Sequence, residues 1–138
     1  MMNLMKLIVE VNEMKLENNE IKDTVLDLQP LTYIMERNGF VLAGQWDYER
    51  VTYDLKVNSP EKNITYYIRV SGYAVEGDVD SGKAVIKLLT PLLGKHHYPH
   101  GVEYGEEEGF PQNIIDKADR VLSNVDNQLK QFIEEEAN

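Results

Sequence analysis

The chain has 138 residues, 42% hydrophobic and 28% charged, which suits one globular domain able to bury a core without staples. It has no cysteine, so disulfides, iron–sulfur clusters, thiol nucleophiles and cysteine-rich zinc sites are excluded. Its net charge of -10 and lack of a lysine or arginine cluster oppose binding to nucleic acid or to an anionic membrane surface.

Leu4 to Val11 alternates only in part, with Leu7, Val9 and Val11 on one side, and reads as a strand or an extended arm. It has no basic leader, long apolar run or cleavage site. Met14-Lys15-Leu16 would serve as a start as naturally as Met1, so 1–13 reads as an extension on a single domain spanning 1–138. No stretch approaches the roughly 20 apolar residues of a membrane span, and the expected location is cytoplasmic.

Residues 20–26 carry Ile21 and Val25 at even spacing and suggest a short strand. Gln29-Pro30-Leu31 then opens a helix, because proline in the first turn sacrifices no hydrogen bond. Leu31, Ile34 and Met35 share one helical face, and Asn38-Gly39 closes the helix. Phe40 to Gln45 reads as a strand. Val51, Tyr53, Leu55 and Val57 alternate with polar residues, as do Ile64, Tyr66, Ile68 and Val70. With the turn at 58–63, these predict an antiparallel hairpin with one wet face.

Glu76-Gly77-Asp78-Val79-Asp80-Ser81-Gly82 resembles the start of a calcium loop. The twelfth loop position is Leu89 rather than glutamate, so it reads as a turn. Ala84 to Leu89, apolar on both faces apart from Lys87, is expected to be a central or covered strand. Thr90 to Pro111 shows no period and reads as one long loop. From Pro111, apolar residues recur at three and four spacing from Ile114 to Ile133, which predicts a helix of about 22 residues, about 33 Å long. Glu134-Glu135-Glu136 follows as a charged end.

The expected fold is therefore α+β: an antiparallel sheet of about five strands, one short helix before it, and one long C-terminal helix packed on it.

Two clusters could carry chemistry. All three histidines, His96, His97 and His100, fall within five residues, and Glu103 follows closely. Imidazole and carboxylate suit a divalent transition metal, or acid–base work near neutral pH. Pro99 argues against presenting them from a helix, and a polar loop is the favoured account, so no cofactor is expected, with a divalent transition metal as the alternative. Trp46, Asp47 and Tyr48, with Arg69 and Tyr73 on the following strands, are candidate contacts for an unidentified small ligand in a pocket between sheet and helix. No nucleophile elbow and no phosphate-binding glycine loop is present.

Three strings carry a resemblance. They are Gly39 to Asp54 with Gly44-Gln45-Trp46-Asp47-Tyr48-Glu49-Arg50 at its centre, Tyr67 to Gly77, and Lys87 to His96 with Tyr98 to Tyr104. Together they resemble the YugN-like family of small bacterial proteins. The resemblance implies the α+β fold and a bacterial cytoplasmic setting, and it brings no catalytic residue. The expected function is a non-enzymatic binding or assembly protein that self-associates. The alternative is a metal-dependent or acid–base enzyme using the loop at 94–108.

Overall fold

A computed structural model describes residues 13–43, 48–61, 63–97 and 109–137. Among the described residues the chain forms seven strands and two helices. In order these are β1 (Glu13–Lys15), β2 (Val25–Asp27), α1 (Leu28–Arg37), β3 (Val41–Ala43), β4 (Arg50–Val57), β5 (Ile64–Glu76), β6 (Val85–Leu88), β7 (Leu92–His97) and α2 (Gln112–Ala137). The Leu4 to Val11 segment lies outside the described residues.

All pairings are antiparallel. Seven strands replace the expected five because two ranks of the sheet are each broken in two. β5 is long enough to pair β7 along Ile64–Arg69 and β6 along Gly72–Glu76, on the same edge. β1 then pairs β7 and β2 pairs β6. Read across, the ranks are β1/β2, β7/β6, β5, β4 and β3.

β7 corrects the reading of Thr90 to Pro111 as one loop. Its only wholly buried apolar side chain is Leu93, so hydrophobic alternation is too faint to see. The strand forms because both its edges are paired, and pairing overrides a weak local preference. The strand expected at 20–26 shrinks to Val25–Asp27. Ile21 is buried from a turn in which the Asn19 side chain accepts from the Ile21 N–H and donates to the Leu16 carbonyl. At the other end, α2 runs through Glu134-Glu135-Glu136 to Ala137, since glutamate is a good helix former and no glycine or proline intervenes.

One face of the sheet meets both helices. Tyr66, Ile68 and Val70 of β5, Val51, Tyr53 and Val57 of β4, Ile86, Leu88 and Leu93 form a single cluster with Leu31, Ile34 and Met35 of α1. Ile114, Ala118, Leu122, Val125 and Leu129 of α2 complete it. The Tyr53 hydroxyl and Thr32 Oγ1 lie 2.7 Å apart, and Asn38 donates to Gln128 at 3.1 Å, so sheet and helices are tied by polar contacts too. Asn38 and Gly39 end α1 as expected, Gly39 with a φ of 89° that suits glycine.

Candidate functional site

Among the described residues, no helix lies on the opposite face of the sheet. Strand alternation puts one side chain in two there, and the pairing register arranges them in cross-strand rows. One row runs Glu13, Gly94, Tyr67, Lys56. The next runs Lys15, Leu92, Arg69, Asp54, Val41. Beyond Ser71 and Thr52 come Val25, Lys87, Tyr73, Arg50, and then Asp27, Val85, Glu76.

Gly94 leaves a gap in its row, and a groove of about 510 Å³ opens there, lined by Glu13, Asp54, Tyr67, Arg69, Leu92 and His96 among others. Arg69 Nε donates to Asp54 Oδ1 at 2.8 Å and Nη2 donates to Oδ2 at 2.9 Å. This two-pronged bond raises the already high pKa of Arg69 and fixes the guanidinium across the strands. Exposed apolar side chains extend the surface: Val41 is 66% exposed, Val75 47%, Val25 44%, and Tyr73 and Leu89 37% each. The Ala84 to Leu89 strand is central, since β6 pairs β2 on one edge and β5 on the other, while Leu89 just beyond it is exposed.

Lys95 points the other way. It is buried, its ammonium donates to the Gly109 carbonyl at 3.0 Å, and it lies 5.6 Å from the centre of the Phe110 ring. Phe110 in turn packs on Tyr66, so this lysine anchors the chain entering α2.

Of the residues singled out from sequence, Arg69 and Tyr73 share the bare face, two positions apart on its side of β5. Tyr48 is exposed in the bend before β4, where its carbonyl accepts from Val79 N–H at 2.9 Å. Trp46, Asp47, His100 and Glu103 lie outside the described residues. His96 is an exposed strand residue opposite Thr65, and His97 follows it opposite Ile64. Among the described residues no three histidine, aspartate or glutamate side chains are grouped to hold a metal ion. The calcium-like string is a turn, closed by Asp78 accepting from the Ser81 N–H at 2.8 Å. The groove lies on the face away from the two helices, not between sheet and helix. Sequence could have joined Asp54, Tyr67 and Arg69 from the alternation of β4 and β5. It could not supply Glu13 or Gly94, because β1 and β7 carry too little pattern.

The model of the YugN-like family matches residues 15–136. The chain belongs to the YugN-like family. It is 49% identical over 117 residues to the uncharacterized protein YlbA of Bacillus subtilis (strain 168), covering 85% of this chain and 96% of that one. It is 26% identical over 90 residues to the uncharacterized protein YugN of the same organism, covering 65% and 66%. The crystal structure of the uncharacterized conserved protein YugN from Geobacillus kaustophilus HTA426 superposes with a TM-score of 0.77 at 50% identity, covering 88% of this chain and 98% of that one. In this YugN-like chain the three strings that first carried the resemblance fall largely on β3–β4, β5 and β6–β7, the ranks that build the bare face. No helix among the described residues is long and apolar enough to cross a membrane.

Proposed function

We propose that the protein is a non-enzymatic, cytoplasmic binding and assembly protein that self-associates, with the helix-free face of the sheet as its contact surface. The observation behind this reading is the contrast between the two faces. One is closed by both helices; the other exposes Val25, Val41, Tyr73, Val75 and Leu89 in one sheet. Single apolar residues are normal on a surface, but five exposed on one sheet face, interleaved with charges of both signs, suit an interface.

Size supports a protein partner. Five ranks about 4.8 Å apart and strands of eight residues give roughly 24 Å by 27 Å, or roughly 650 Å² in plan. That is near the roughly 800 Å² per partner of a stable interface. Charge supports a second copy. On a chain of net charge -10, the bare face sets Lys15, Arg50, Lys56, Arg69 and Lys87 against Glu13, Asp27, Asp54 and Glu76. The long-range repulsion between copies is therefore weakest here.

Light scattering on the eluting protein over a wide concentration range is the test. A mass that rises to twice the 15.9 kDa of the chain is expected. A strict monomer at high concentration contradicts the reading.

A further inference from the structure

The order of charges on the bare face, together with the Gly94 gap, favours one way of stacking two copies. We infer that two chains pack bare face to bare face about a two-fold axis that runs along the strands between β5 and the β7/β6 rank. This inference rests on the self-association reading above and adds its geometry.

A closed pair of identical copies meets through the same patch on both, so each contact occurs twice. With the axis so placed, the β1/β2 rank lies over the partner's β4, and the β7/β6 rank over the partner's β5. The rows then become complementary. Glu13 meets the partner's Lys56, and Lys15 meets the partner's Asp54. Tyr67 enters the gap left by the partner's Gly94, and Lys87 lies on the ring of the partner's Tyr73. Val25 covers the stem of the partner's Arg50. Charged pairs, a ring in a glycine gap and a cation on an aromatic face are all favourable, and like charges are kept apart.

An axis between β5 and β4 opposes no like charges but leaves Glu13 and Lys15 facing no rank of the partner and the Gly94 gap unfilled. Placements with the axis through a rank fail on the same rows. An axis through β5 sets Arg69 against the partner's Arg69 and Lys87 against the partner's Arg50. Shifted to the β7/β6 rank, it sets Lys15 against the partner's Arg69 and Lys87 against the partner's Lys87. A two-fold axis across the strands brings Glu13 onto the partner's Asp27. Like charges directly opposed across an interface select against each of these. The groove at Gly94 thus has an occupant, the Tyr67 ring of a second copy.

Sedimentation equilibrium of the full chain and its Glu13→Lys, Lys56→Glu and doubly substituted forms tests the geometry. Both positions are exposed, so the thermal melts should coincide. Each single reversal is expected to weaken the dimer about tenfold or more, because it acts twice. The double substitution should restore it to within about threefold of the natural chain. Single reversals that weaken the dimer without rescue, or that leave it unchanged, overturn this axis while self-association itself stands. A natural chain that stays monomeric sinks both.

Discussion

Tyr53 illustrates how a polar atom is carried into this core. Burial pushes its phenol up to about 12 from an ordinary 10.0; the Thr32 hydroxyl bond works against that and the nearby Glu36 charge with it. The fold therefore favours the neutral phenol. Its contribution is fully present below about pH 10 and is lost as pH rises toward 12, amounting to about 2–3 kcal/mol in all. Urea unfolding from pH 7 to 11.5 should show stability falling above about pH 10. Tyr53→Phe should flatten that fall while costing about 1 kcal/mol at pH 7. An equal fall in the variant would mean other groups cause it. Asp126 makes a related point on α2. It is buried and accepts from the Glu20 N–H at 2.9 Å, holding the 17–24 excursion against the helix. Asp126→Ala should lower stability by about 1–3 kcal/mol, because it strands that donor. Lys130→Ala, which removes the exposed partner of Glu20 and a longer 3.7 Å contact to Asp126, should cost less, within about 1 kcal/mol.

At the scale of elements, legibility followed the strength of the pattern. Helix α1 was visible because Leu31, Ile34 and Met35 sit at helical spacing between Pro30 and Gly39. Strands β4 and β5 were visible because their alternation is clean. Strand β7 was hidden: Gly94, Lys95 and the histidines have low strand preference, and only pairing on both edges makes them extended. The bare face was half legible for the same reason, since β4 and β5 supplied Asp54, Arg69 and Tyr73 while Glu13 and Gly94 waited on unseen strands. The handover along β5 depends on Gly72. A Cβ there would lie 2.6 Å from Ile86 Cγ2 and 2.9 Å from the Lys87 carbonyl oxygen. Gly72→Ala should cost about 1–3 kcal/mol, measured by urea unfolding. A neutral result would mean that β6 can shift away from β5 without loss.

For the whole molecule, two unequal faces of one sheet organise both stability and function. Helices α1 and α2 close one over a single buried cluster. The other carries aligned rows of charge, tyrosine and exposed aliphatic side chains around the Gly94 gap. The acidic charge of the chain keeps copies apart everywhere else, so association should be confined to that face. Two exposed tyrosines separate the possibilities: Tyr73 stands on the bare face, and Tyr33, on α1, is 61% exposed away from it. Sedimentation equilibrium of Tyr73→Lys, which sets a lysine against the partner's Lys87, and of Tyr33→Lys beside the natural chain tests the central claim most directly. The account predicts dimers for the natural chain and the Tyr33 variant, and a folded monomer for the Tyr73 variant. A Tyr73 variant that dimerises as tightly as the natural chain, or a Tyr33 variant that alone dissociates, would contradict it.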